Sequence, residues 1–296
     1  MNILITGGTG FVGSVLVKAL LEKGHTPYVL TRQSKESNNI HYLKWDPENK
    51  QFSEKLPQID GLINLMGENI GEKRWSKKQK EKLQRSRIEN TDFLNSILKD
   101  QSLSFSISAS AVGIYAKNTE VELNESSAYV DDFLGSLCQK WEDKSRELKN
   151  VQRSVLLRIG VVLGKDGGML KKLLPIFRLG LGGPIGNGKM IMSWIHVDDL
   201  VNIIIKAIED SRYEGVINAV SPNPVTNAEF TKAFGRSIKR PAFFPVPPLA
   251  LKVAMGEMSS LALDSQKVYP QRLTDLKHEF LFPQIDSALK DIFSST

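Results

Sequence analysis

Three glycines at three-residue intervals, Gly7, Gly10 and Gly13, stand directly behind the apolar run Ile3-Leu4-Ile5. Glycine accepts left-handed backbone and lets a second backbone or a ligand come close. A buried strand that turns through such a loop into a helix presents free main-chain N–H groups at the positive end of the helix dipole. That combination cradles a pyrophosphate, and the order strand, glycine turn, helix reads as a dinucleotide-binding fingerprint.

The end of the second strand decides which dinucleotide. An NAD site carries Asp or Glu about 20 residues past the glycines, to hydrogen-bond the ribose 2′-OH. Here the segment is Tyr28-Val29-Leu30-Thr31-Arg32-Gln33-Ser34, with no carboxylate. Arg32, helped by Ser34 or Lys35, would pair with a 2′-phosphate, so NADP(H) is favoured over NAD(H). A second chemical stretch is Ser106-Ile107-Ser108-Ala109-Ser110-Ala111-Val112-Gly113-Ile114-Tyr115. It ends a strand at the carboxyl edge of the sheet, where ligands of such folds bind. Ser110 and Tyr115 offer hydroxyls to a substrate carbonyl or alcohol; the competing reading has Ser110 capping a turn and Tyr115 packing.

Two further groups are weaker. In Ser193-Trp194-Ile195-His196-Val197-Asp198-Asp199 a His/Asp catalytic reading competes with a structural one. In the structural reading Asp198 is the N-cap of an apolar helix over 200–208, Asp199 lies in its first turn, and His196 orients the loop. Arg158, in Leu157-Arg158-Ile159-Gly160, either supports the cleft or meets an anionic substrate.

These residues need a scaffold, and the chain alternates strand and helix. Strands are expected over 2–6, 26–31, 40–45, 61–65, 104–108, 154–160 and 216–220, with helices over 12–23, 133–148 and 200–208. Repeated strand and crossover helix gives a doubly wound parallel α/β sheet, Rossmann-like, with helices on both faces. A glycine-rich stretch around the amphipathic segment 169–179, and a proline-rich, mostly helical tail, depart from that rhythm. Residues 1–163 and 195–221 are read as the dinucleotide-binding domain, and 164–194 with 222–296 as a small substrate-side lobe.

The 296 residues carry a net charge of +6, concentrated between Lys73 and Arg87. That stretch reads as one helix capped by Ser76, with Leu83 and Ile88 inward and the bases in water, so nucleic acid is not the expected partner. A single cysteine, Cys138, suits a reducing compartment. The four histidines are scattered without metal-ligand spacing. No apolar run reaches the length of a membrane span. A strand opening at residue 2 leaves no room for a signal peptide, and a cytoplasmic location is expected.

Gly7-Gly8-Thr9-Gly10-Phe11-Val12-Gly13, the Ser108–Tyr115 stretch, Leu157–Gly164 and Ser193–Leu200 together resemble the extended and atypical short-chain dehydrogenase/reductase superfamily. Residues 62–75, 133–142, 221–230 and 256–270 are similar to its NAD-dependent epimerase/dehydratase branch, with a small C-terminal domain of unassigned role. The resemblance assigns Gly7, Thr9, Gly10, Phe11 and Val12 to the pyrophosphate loop, Arg32 to the ribose phosphate and Asp46 to the adenine. It assigns Leu65, Met66 and Gly67 to the wall of the cofactor cleft, and Ser110 to the catalytic Ser/Thr. It also implies pairing into a homodimer through helices beside the fourth and fifth strands.

The family's Tyr-x-x-x-Lys pair is absent: Leu134 and Cys138 fall at its positions when Glu142 is aligned with the glutamate that follows it. Tyr129 has Phe133 four residues on and gains no partner that way. Three readings remain. Tyr115, expected near its reference pKa of about 10 for want of a cationic neighbour, acts as an acid; Cys138 is a thiol at the cleft or a buried, inert one; or the protein binds NADP(H) without turnover and reports the coenzyme pool. The leading expectation is an NADP(H)-dependent oxidoreductase or epimerase-like enzyme acting on a small carbonyl, alcohol or nucleotide-sugar-like substrate.

Overall fold

Short runs dominated by Ile, Leu and Val become strands here because helices cover both of their faces, so no polar alternation is needed. The computed structural model describes residues 1–119 and 121–294. Its strands are β1 (Asn2–Thr6), β2 (Thr26–Thr31), β3 (His41–Lys44), β4 (Gly61–Asn64), β5 (Phe105–Ala111), β6 (Ser154–Ile159), β7 (Val161–Leu163), β8 (Ile191–Met192), β9 (Trp194–His196), β10 (Gly215–Ala219) and β11 (Val225–Thr226). Seven of them form a sheet in the order β10-β6-β5-β4-β1-β2-β3, every neighbouring pair parallel. The strand order reverses between β1 and β4, and their carboxyl ends open the crevice where doubly wound sheets bind ligands.

Helices α1 (Phe11–Glu22), α2 (Lys77–Arg85), α3 (Ile88–Ile97), α4 (Phe133–Arg146), α5 (Gly168–Arg178) and α6 (Val197–Glu209) follow the strands. On one face α1 and α6 bury Leu16, Leu20, Leu200 and Ile204 against Ile3, Ile5, Ile63, Ile107 and Leu157. On the other, α3 contributes Leu94 to a core with Leu4, Leu30, Leu62 and Trp45. The C-terminal helices are α7 (Asn227–Ser237), α8 (Pro248–Met255), α9 (Ser260–Leu263), α10 (Gln271–Asp275) and α11 (Ile285–Ser294). Leu170 and Phe177 of α5 join Phe230 and Phe234 of α7 and Leu289 of α11 in a separate core.

Three expectations are corrected. The basic stretch is not one helix: α2, capped by the Ser76 hydroxyl as anticipated, ends at Arg85, and α3 restarts at Ile88. Arg87, at the break, turns inward rather than into water. Strand β5 runs on to Ala111, because its parallel pairing with β6 continues through Ser110↔Arg158 and Ala111↔Ile159. Asp198 does not cap α6. His196 does, its Nδ1 accepting the Asp198 N–H at 3.1 Å. Asp199 is buried and accepts the main-chain N–H groups of Leu281 and Phe282 at 2.6 and 3.0 Å, tying the C-terminal segment to α6. Burial raises its carboxyl above the ordinary range, partly offset by those two bonds.

His278 sets an acid limit on the fold. It lies 2.8 Å from the Tyr213 hydroxyl, and burial, aided by Lys206, pushes its imidazole down to about 4. Between its ordinary 6.5 and about 4 the unfolded chain holds a proton that the native ring refuses. Stability from this group is therefore complete above the higher value and declines as pH falls through the window. In His278→Leu the melting temperature is expected to fall less between pH 7 and pH 4.5 than in the wild type. Parallel acid limbs in calorimetry would remove His278 from this role.

Candidate functional site

The glycine turn is built by backbone contacts that exclude side chains. Gly7 has φ +70°, and a Cβ there would lie 2.6 Å from the Leu65 carbonyl oxygen. A Cβ on Gly13 would sit 2.1 Å from the Gly7 oxygen, so helix α1 can approach β1 only as glycine. The Gly10 N–H bonds the Gly7 oxygen at 2.9 Å, and no side chain caps the helix start. The first N–H groups of α1 thus remain for a ligand. Thr9 and Gly10 are exposed, and the Phe11 ring lies against Gly164 and Gly167, where a Cβ would be 2.6 and 2.2 Å away. Phe11 therefore locks the turn to the 164–168 segment, while Val12 is half-buried beneath it.

Arg32 emerges exposed from the end of β2, and among the described residues no carboxylate pairs with it. Asp46, expected near an adenine, closes its own turn: it accepts N–H groups of Glu48 and Asn49 and the Asn49 side-chain amide. Leu65, Met66 and Gly67 follow β4 along the crevice. Their position is fixed by Asn64, whose Oδ1 accepts the Thr6 hydroxyl at 2.7 Å and whose Nδ2 reaches Thr91 of α3 at 3.3 Å.

Register brings a polar row together across the sheet, because Ser110 pairs with Arg158 and Arg158 with Asn218. The Ser110 hydroxyl donates to Glu142 Oε1 of α4 at 2.7 Å. Arg158 forks onto the same carboxylate, Nε to Oε1 at 2.8 Å and Nη2 to Oε2 at 3.0 Å. Burial opposes the charge on Glu142, but Arg158, the Ser110 hydroxyl and Arg146 outweigh it and hold the carboxyl below its ordinary range. Arg158 accordingly supports the cleft by an internal ion pair. Its guanidinium also lies 5.0 Å from the ring centres of both Tyr115 and Tyr129.

Tyr115 does have a cationic neighbour, contrary to the sequence reading. Its oxygen accepts Arg158 Nη1 at 2.8 Å and its proton goes to Asn218 Oδ1 at 2.8 Å. The side chain is fully buried, and burial pushes the phenol up to about 12 against the pull of Arg158. It buttresses the site from below rather than presenting an acid to it. Tyr129 is tied as well, accepting Arg158 Nη2 at 3.0 Å. Cys138 is buried and its thiol is pushed up to about 11, chiefly by desolvation, which fits the inert reading.

Arg87 is the group that sequence reasoning misplaced. Its Nη2 donates to the Glu68 oxygen at 3.0 Å and its Nη1 to the Leu83 oxygen at 3.3 Å. The guanidinium lies flat against Gly67, where a Cβ would be 3.0 Å from Cζ. A larger residue at 67 would press on the guanidinium, which would have to give by a few tenths of an ångström.

The NAD dependent epimerase/dehydratase family matches residues 3–219, and a domain of unknown function, DUF1731, matches residues 246–292. The chain belongs to the NAD-dependent epimerase/dehydratase family. Its relatives include an Arabidopsis thaliana chloroplastic homolog of epimerase family protein SDR39U1, 37% identical over 99% of this chain and 86% of that protein. The crystal structure of human SDR39U1 (isoform 2) with NADPH superposes with a TM-score of 0.92 at 35% identity, covering 100% of both chains. A nucleoside-diphosphate sugar epimerase from Corynebacterium glutamicum gives a TM-score of 0.80 at 33% identity, over 100% of this chain and 58% of that one.

Against this family background, Glu142, Asn218, Asn64 and Arg87 are the site-forming residues that sequence reasoning passed over as such. Only Glu142 had a signal, as the glutamate one turn beyond Cys138. The others acquire roles through strand register or through a helix break. Among the described residues no helix is long and apolar enough to cross a membrane.

Proposed function

We propose that the chain is an NADP(H)-dependent oxidoreductase or epimerase-like enzyme acting on a small carbonyl, alcohol or nucleotide-sugar-like substrate. The observation carrying this reading is the uncapped start of α1 at a turn that admits no side chain, with an exposed Arg32 at the end of β2 that no carboxylate among the described residues pairs. The NADPH in the human relative supports it. The free N–H groups of α1 would hold the pyrophosphate and Arg32 the 2′-phosphate. Once bound, the nicotinamide supplies hydride exchange. Ser110, its proton committed to Glu142, has oxygen lone pairs left to accept a hydrogen bond from a substrate hydroxyl. Glu142, held ionised, fixes that hydroxyl orientation, and Arg158, itself bonded to Tyr115, fixes Glu142.

Arg32→Ala is expected to weaken NADPH binding about tenfold or more, the worth of a charge-assisted phosphate contact. NADH affinity is expected to change less than about twofold, because it has no 2′-phosphate. Calorimetric titration of both coenzymes into both proteins checks this. Undiminished NADPH affinity in the variant would sink the assignment of Arg32.

A further inference from the structure

Arg158 and Arg87 flank the same helix, α4, and differ in one respect. Arg158 has a carboxylate bound across its fork. Among the described residues the acceptors of the Arg87 guanidinium are neutral: the Leu83 and Glu68 carbonyls and the Ser86 hydroxyl at 3.3 Å. Among the described residues no carboxylate lies within ion-pair distance of it. The nearby candidates are engaged elsewhere, Glu68 with Lys82 at 2.9 Å and Glu142 with Arg158 and Arg146. Against it lies the Trp141 ring, 5.1 Å from Cζ, and the buried indole Nε1–H of Trp141 has no acceptor among the described residues.

Arg87 is half-buried, and withdrawing a guanidinium from water without a counter-ion is costly, since buried charges are as a rule paired. Desolvation does weigh on Arg87, lowering its pKa against the opposing pull of Cys138 and Glu68. The guanidinium nevertheless packs closely on Gly67, where a Cβ would lie 3.0 Å from Cζ. Gly67 follows β4 at the carboxyl edge of the sheet and is exposed, so the guanidinium borders the crevice. The coenzyme's own pyrophosphate belongs at the start of α1, beyond β1.

We infer that Arg87 is an oxyanion receptor, and that the molecule bound beside the coenzyme carries a carboxylate or phosphate which Arg87 neutralises. This rests on reading the crevice as a coenzyme site, and it narrows the substrate class to anions. The planar fork suits two-point recognition of such a group, which a lysine would not reproduce.

The test uses the full chain as wild type, Arg87→Gln and Arg87→Lys. NADPH affinity is measured first. Inorganic phosphate and malonate are then titrated into free and NADPH-loaded protein, with chloride as the ionic-strength control, following heat, melting temperature and the fluorescence of bound NADPH. Wild type is expected to bind both anions in the millimolar range. Arg87→Gln is expected to lose at least about tenfold of that affinity while keeping NADPH affinity within about threefold, and Arg87→Lys to fall between. Anion binding unchanged in Arg87→Gln would overturn the inference. A tenfold loss of NADPH affinity would overturn it too, since the anion would then be the coenzyme's own. If wild type binds no NADPH, the coenzyme reading fails, and the titrations of free protein still decide whether Arg87 receives an anion. Arg87→Lys serves if the glutamine variant does not fold.

Discussion

Arg158→Met is expected to lower the melting temperature by about 5–8 °C, the largest loss from any single side chain of the site. Removing one partner of a buried, hydrogen-bonded ion pair costs about 3–5 kcal/mol, because the other charge is left uncompensated. In a chain of 296 residues, at roughly 2.1 cal/mol/K of unfolding entropy per residue, each kcal/mol is worth roughly 1.5–2 °C. Here the stranded group would be Glu142, whose side chain is fully buried and whose remaining partners are Ser110 and the half-exposed Arg146. Tyr115 and Tyr129 would lose their donors at the same time.

The sign of the pH effect separates this mechanism from a simple packing loss. In the wild type Glu142 is held below its ordinary range, so its contribution is full above the unfolded value of about 4.3 and is lost as pH falls through the folded one. In the variant, burial acts without Arg158, and the carboxyl is expected to rise above its ordinary range. Acid then protonates it and relieves the stranded charge. The gap between variant and wild type should therefore narrow from pH 7 to pH 5. Adding Glu142→Leu to Arg158→Met should recover much of the loss, since two well-packed apolar groups replace a buried pair at little cost. A pH-independent gap, with no recovery in the double variant, would leave the ion pair without the role assigned to it.

Gly13→Ala is expected to raise the NADPH dissociation constant about a hundredfold, equivalent to about 2.7 kcal/mol. The three atoms nearest the new methyl group are the Gly7 oxygen at 2.1 Å, the Gly8 Cα at 2.7 Å and the Gly7 carbonyl carbon at 2.8 Å. All are backbone, so no side chain can swing aside and the start of α1 must back away from β1. Such overpacking costs roughly 1–3 kcal/mol of stability, and it displaces the N–H groups offered to the pyrophosphate. Gly113→Ala is the control, because a Cβ there meets only Leu134 at 3.5 Å. Circular dichroism would show that both variants keep their helices. Calorimetry that finds Gly13→Ala binding NADPH within about threefold of wild type would dismiss the cradle as described.

Some of this architecture is local chemistry and was readable from the chain. Gly7, Gly10 and Gly13 behind an apolar strand specify the turn, since only glycine permits φ +70° at Gly7 and the helix contact at Gly13. Ser76 caps its helix through a contact three residues long. The alternation of apolar strands and amphipathic helices specified a parallel, doubly wound sheet. The absence of a Tyr-x-x-x-Lys pair was legible too, because it depends on residue identity alone.

What the linear order concealed is the polar row under the cleft and the seat of Arg87. Ser110 and Glu142 are separated by 32 residues, and Tyr115 and Asn218 by 103. Only the pairing of β5 with β6 and of β6 with β10 sets Ser110, Arg158 and Asn218 side by side. That proximity turned Tyr115 from an expected acid into a buried strut. Arg87 looked like one more solvated base on a charged helix. It faces inward because the helix breaks beside it, and because the Glu68 carbonyl, Gly67 and Trp141 converge from β4 and α4 to receive it. Local sequence determined the turn that offers amides to a phosphate, whose geometry spans a few bonds. Tertiary structure decided which charges are neutralised, since the energy of a buried charge depends on what the fold brings within a few ångströms of it.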